Sequence, residues 1–243
     1  MLDVAYGADP KQKLDVYGPP PGRGTRPAPV FVFLHGGGFR EGDRAQYGYV
    51  ALPLAKAGIV TVVASYRLTP EHVFPDQLDD LKGVLQWVHR HVDERGGDPA
   101  HVFVGGHSAG AVLAALAAFQ PTWTAASGLP QGFVKGCVAM SGPYDLRALA
   151  SMTNFAPTRQ QQNDASPILH VDAPPARTIV SVGSVEGYLD SSRAFVDRIK
   201  EKGGQAELLV LDGLPHDATA LALAQDDNPL TRAIIRMVTG AGR

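Results

Sequence analysis

Ser108 stands at the centre of Gly106-His107-Ser108-Ala109-Gly110, a match to G-x-S-x-G between the apolar run HVFVG and the alanine-rich run AVLAALAAF. A strand that turns sharply into a helix holds a serine hydroxyl clear of the backbone, and small flanking residues let the neighbouring elements close on the turn. The helix start also favours negative charge beside the serine. A glycine-rich turn with a capping serine would carry the same letters, so the reading depends on the strand and helix on either side. A serine placed in this way becomes a nucleophile for acyl transfer when an imidazole takes its proton.

His35-Gly36-Gly37-Gly38-Phe39 follows the apolar run VFVFL. Acyl transfer passes through a tetrahedral oxyanion. Backbone N–H groups stabilise it where glycine lets the chain approach without a Cβ. Gly37 and Gly38 are the expected donors, with the N–H of Ala109 as the third. A phosphate loop would want Lys and Ser/Thr after G-x-x-x-x-G, and FREGDR supplies no such pattern. His35 is expected to anchor the loop rather than to act as a base.

The imidazole and carboxylate of such a site follow the serine in the order Ser, acid, His. Of the eight histidines, His216 in LVLDGLPHDAT lies in the loop expected after the last strand. His89 and His91 fall on a long predicted helix, His101 opens a strand, and His107 is inside the serine turn. His72 and His170 fall in loops that follow no late strand. Glu186, three residues past Gly183 in RTIVSVGSVEGYLD, is the expected acid. Asp190 starts the following helix, where a first-turn or capping role accounts for it.

Holding these residues together falls to a series of short apolar runs. VFVFLHGGGF and GIVTVVASYRL read as strands buried on both faces, with a helix over 45–57 between them. FPDQLDDLKGVLQWVHRHVDERGG places Leu78, Leu81, Leu85 and Val88 at helical spacing and stops at Gly96. HVFVGG, FVKGCVAMSG, RTIVSVGS and AELLVLDG are further strands, and KLDVY is a short one followed by the turn GPPPGRGTRPAP. The alternation predicts an α/β fold with a mainly parallel central sheet and helices on both faces. Such sheets carry their chemistry beyond the C-terminal strand ends, and each candidate above follows a predicted strand.

The 243 residues are 44% hydrophobic and 19% charged, an ordinary globular composition for which one domain over 1–243 is expected. With 22 Lys plus Arg against 24 Asp plus Glu, no strong field exists to draw nucleic acid or an anionic membrane, and a neutral substrate fits. No run reaches the roughly 18 apolar residues of a membrane span, and MLDVAYGADPKQKLDVYGPPPG lacks the pattern of a signal peptide. The expected location is cytoplasmic. Cys137, the single cysteine, reads as a core residue. The His, Asp and Glu residues show no metal-ligand spacing, so neither a metal nor an organic cofactor is expected.

HGGGF, SYRLTPEHVFPDQLDD and GHSAGA, extended by SGPYDL, ASPI and GLPH, resemble two groups. One is the α/β-hydrolase esterases related to hormone-sensitive lipase; the other is the neighbouring arylformamidase (kynurenine formamidase) branch. The resemblance covers nearly the whole chain from about residue 6. It implies an α/β-hydrolase fold and an esterase acting on a small-molecule ester. The alternatives are hydrolysis of N-formyl aryl amides and a catalytically inactive fold used as a binding module. SYRLTPEHVFPDQLDD is similar to the lipase side, whose serine turn usually reads GDSAG. His107, and MTN after SGPYDL, lean to the arylformamidase side. The acid in these families is usually Asp, and Glu186 occupies the matching place. The few residues before KLDVY offer no match to the N-terminal cap helices of lipase-like enzymes. A minimal cap or none is therefore expected, with any lid drawn from 121–132 or 147–165 and short acyl chains of about two to six carbons preferred.

Overall fold

The computed structural model describes residues 1–20, 27–120, 123, 126–171 and 177–240. Part of the turn GPPPGRGTRPAP and four residues of 121–132 lie outside this set.

Among the described residues eight strands form one sheet: β1 (Val4–Ala5), β2 (Lys13–Tyr17), β3 (Ala28–Leu34), β4 (Val60–Ala64), β5 (Gly97–His107), β6 (Val134–Met140), β7 (Arg177–Gly183) and β8 (Ala206–Leu211). Their spatial order is β1-β2-β4-β3-β5-β6-β7-β8. β2 runs antiparallel to β1 and β4, and every pairing from β4 to β8 is parallel. The α-helices with described bounds are α1 (Gly48–Lys56), α2 (Asp76–His91), α3 (Ala109–Phe119), α4 (Arg159–Asp164), α5 (Leu189–Glu201), α6 (His216–Leu221) and α7 (Pro229–Thr239).

The continuous apolar runs of the sequence resolve into two faces, because successive strand side chains point to opposite sides. Val30, Val32 and Leu34 of β3 pack in one core with Leu85 of α2, Leu113 of α3 and Phe195 of α5. Phe31 and Phe33 pack in the other, with Leu54 of α1 and Ile234 of α7. Cys137 of β6 is fully buried in the first core, and burial pushes its thiol pKa up, away from nucleophilic use.

Two expected elements differ in detail. The helix over 45–57 divides into a 3-10 turn at Arg44–Tyr47, capped by Asp43, and then α1. His216 is the first residue of α6 rather than part of a loop. No helix among the described residues is long and apolar enough to cross a membrane.

Candidate active site

β5 ends at His107, and the chain turns directly into α3 through Ser108. Ser108 has φ 54° and ψ −116°, a conformation that non-glycine residues avoid and that persists only where the surroundings enforce it. Gly106 and Gly110 make the turn possible. A Cβ on Gly110 would collide with the carbonyl oxygens of Leu34 and His35, and one on Gly106 would collide with Gly110 itself. The turn is thereby pressed against the end of β3, and the Ser108 N–H bonds across to the Met140 carbonyl of β6 at 2.8 Å.

The structure brings Ser108, His216 and Glu186 together. Ser108 Oγ lies 2.9 Å from His216 Nε2, and His216 Nδ1 lies 2.5 Å from Glu186 Oε2. An ionised carboxylate only accepts, so Nδ1 carries the hydrogen and Nε2 is free to accept from the serine hydroxyl. The Glu186 side chain is 2% exposed. Burial opposes its ionisation, but hydrogen bonds from His216, from Ser141 Oγ at 2.6 Å and from the Gly183 N–H at 2.6 Å outweigh that cost. Its pKa is accordingly lowered from the usual carboxylate value. Asp190 is not part of this arrangement; it lies in the first turn of α5, exposed, with Arg193 at 3.3 Å.

Beside Ser108 runs the segment His35–Phe39. A Cβ on Gly36 would come within 3.3 Å of the Ser108 Cβ, which places the glycine run against the serine. Gly37 has φ 116° and Gly38 φ 61°, so both need glycine's freedom. The Gly37 carbonyl accepts the N–H groups of Arg40 and Glu41, closing a tight turn. Ala109 is the first residue of α3, where an N–H has no partner within the helix, and the Ser108 side chain does not cap it. The glycine run, through Gly36, and the first residue of α3, Ala109, therefore both adjoin Ser108.

The loop is held from below by His35, the expected anchor, together with residues that the motif reading did not assign. His35 is fully buried and stacks on Tyr66 with ring centroids 4.3 Å apart, while Tyr66 Oη donates to the His35 carbonyl at 2.8 Å. Phe39 stacks on Phe155 at 3.5 Å, and Phe155 meets Phe74 edge-on at 5.6 Å. Segment 147–165 thus packs against the loop through Phe155. Arg67 donates to the buried Asp80 carboxylate, which fixes the start of α2 to the same region. SYRLTPEHVFPDQLDD accordingly supports the glycine loop. No pattern of spacing in the sequence reveals these contacts.

His107 is buried, and its Nε2–H donates to the His216 carbonyl at 3.0 Å. Burial lowers the pKa of His107 and of His35 from 6.5 to about 4 in each case. Between about pH 4 and 6.5 the unfolded chain binds protons that the folded chain refuses, so stability falls as pH drops through that window. Each histidine is expected to cost about 2 kcal/mol between pH 7 and pH 5. Urea unfolding at the two pH values checks this: His35→Gln should lose about 2 kcal/mol less than wild type on acidification. An unchanged loss would show that His35 does not refuse protons in the folded state.

Among the described residues no group of three or more His, Cys, Asp or Glu could hold a metal ion. A cavity of about 510 Å³, lined in part by Arg177, Lys200 and Arg236, opens at the N-terminal ends of β7 and β8, the opposite end of the sheet from Ser108.

A family model described as alpha/beta hydrolase fold matches residues 31–174. Esterase LipC of Mycobacterium tuberculosis is 34% identical over 238 residues, covering 88% of this chain and 58% of LipC, so the chain spans less than two thirds of that relative. Kynurenine formamidase of Salmo salar is 26% identical over 251 residues, covering 98% of this chain and 82% of that protein. The two relatives carry the names of an esterase and of a kynurenine formamidase, the two kinds of enzyme that the motifs resemble. An esterase from Pyrobaculum calidifontis superposes with a TM-score of 0.80 at 24% identity, over 95% of this chain and 82% of the other, a likeness of fold. The family match spans more than half of the chain and runs from β3 through the serine turn to just short of β7. This chain belongs to the alpha/beta hydrolase fold family.

Proposed function

We propose that this chain hydrolyses carboxylic esters of small molecules through an acyl-enzyme on Ser108. The observation that carries the reading is the unbroken line from Ser108 Oγ through His216 to Glu186, at 2.9 and 2.5 Å. His216 Nε2 takes the hydroxyl proton as Oγ attacks the ester carbonyl, and Glu186 orients the imidazole and stabilises its charged form. The carbonyl oxygen becomes an oxyanion against the N–H groups of Gly37, Gly38 and Ala109. Collapse breaks the bond to the alkoxy group, which leaves as the alcohol with the proton from His216. Water then repeats the attack on the acyl-enzyme, giving its proton to His216, and as the bond to Oγ breaks His216 returns that proton to Ser108 and the carboxylic acid leaves.

A second reading has the same residues cleave an N-formyl aryl amide. It is supported by His107 in the serine turn and by the kynurenine formamidase relative, 82% of which is covered. Comparing kcat/KM for p-nitrophenyl butyrate and N-formylkynurenine tests the choice. The ester is expected to be preferred, and a strong preference for the formamide would replace the ester reading by the second.

A further inference from the structure

Behind the line from Ser108 to Glu186 lies a second set of hydrogen bonds that the proposed reaction does not use. Ser141 follows β6 at φ 52°, in the left-handed region, and is fully buried. Its Oγ donates to Glu186 Oε1 at 2.6 Å and lies 2.8 Å from Thr219 Oγ1. Thr219, also fully buried, donates to the His216 carbonyl at 2.8 Å. That carbonyl accepts His107 Nε2–H as well.

The hydrogens can be counted. A carboxylate only accepts, so the Ser141 hydrogen belongs to Glu186. The single Thr219 hydrogen is left to serve two acceptors, Ser141 Oγ and the His216 carbonyl. A ring therefore closes from Glu186 through Ser141 and Thr219 to the His216 backbone, and back through the imidazole to Glu186. A serine is kept in a strained backbone conformation only where the surroundings over-determine it, and here that conformation aims its hydroxyl at the acid.

We propose that Ser141 and Thr219 are positioning residues of the hydrolytic site, tying the carboxylate to the backbone of the histidine so that the imidazole stays aligned on Ser108 through both halves of the reaction. This rests on the ester-hydrolase reading above. The pair acts through Glu186 and His216 and does not touch substrate.

The test uses the full chain with Ser141→Ala, Ser141→Gly, Thr219→Val and Thr219→Ser, assayed on p-nitrophenyl butyrate, with urea unfolding to verify folding. Ser141→Ala and Ser141→Gly should each lower kcat about tenfold with KM unchanged, the cost of one hydrogen bond to a charged group. Glycine also relieves the backbone, so an equal loss in both variants assigns the effect to the hydroxyl. Without that donor, Glu186 accepts more strongly from His216 and favours its charged form, so the acid limb of kcat/KM should move to higher pH. The other groups facing His216 are His107, Tyr188 and, next in the chain, Asp217, and none is altered by these variants. Thr219→Val should lower kcat and Thr219→Ser should restore it, which decides the matter even where a Ser141 variant does not fold. Folded variants with wild-type kcat and pH profile would overturn the positioning role alone. A wild-type chain that turns over neither ester nor formamide would overturn the hydrolase reading and this proposal with it.

Discussion

Ser108→Ala and His216→Ala are each expected to lower ester turnover on the order of a million-fold, and the double variant should be little slower than either single one. The reason is the 2.9 Å contact between Oγ and Nε2. Without the imidazole the hydroxyl keeps its proton and is a poor nucleophile; without the hydroxyl the imidazole has nothing to activate. Each loss therefore removes the same step. Substrate binding should survive, because neither substitution alters the glycine loop beside Ser108. Single-turnover kinetics of the three variants check this. Losses that multiply in the double variant would mean that the two residues act independently, contrary to the line of hydrogen bonds.

Glu186→Gln is expected to lower turnover on the order of ten-thousand-fold, nearly as much, for a different reason. Glu186 Oε1 receives two donors, Ser141 Oγ and the Gly183 N–H, each at 2.6 Å. In the variant the amide oxygen must take that place, which turns the amide nitrogen toward His216 Nδ1. A donor there forces the hydrogen onto Nε2, the nitrogen that must accept the serine proton. The fold should be retained and the tautomer wrong. Asp190→Asn should leave turnover unchanged, since that side chain is exposed and paired with Arg193. Steady-state kinetics of both variants decide between the two acids; a large loss in Asp190→Asn with an active Glu186→Gln would reverse the assignment. The lowered pKa of Glu186 also fixes a sign: the carboxylate stays charged as pH falls below the ordinary carboxylate value, so its protonation is not the cause of any decline in weak acid.

The sheet was legible because strands buried on both faces leave short apolar runs, as β3 through β7 do, and because the edge strand β8, only partly buried, keeps an apolar run in LLVL. The grouping of side chains at Ser108 was legible where acyl-transfer chemistry would demand particular residue types next to strand ends: Ser108 after β5, Glu186 after β7 and His216 after β8. Ser141 also follows a strand end, in SGPYDL, but a lone serine after an apolar run carries no distinguishing pattern. Thr219 was hidden for a related reason. It lies in the short helix α6, whose six residues are too few to show a period, and that also concealed that His216 opens a helix. The pairing of Tyr66 with His35 joins residues 31 positions apart through ring stacking and one hydrogen bond to a carbonyl. No local spacing encodes such a contact, so SYRLTPEHVFPDQLDD was visible as a signature long before its physical task could be read.

Ser108 is proposed as a nucleophile activated by His216 and Glu186. The most direct measurement is intact-mass analysis of the chain after reaction with a fluorophosphonate, followed by peptide mapping. The wild-type chain should gain a single phosphonyl adduct on Ser108, Ser108→Ala should gain none, and His216→Ala should react far more slowly. An unlabelled wild-type chain, or a Ser108→Ala chain labelled as fast as wild type, would contradict the claim.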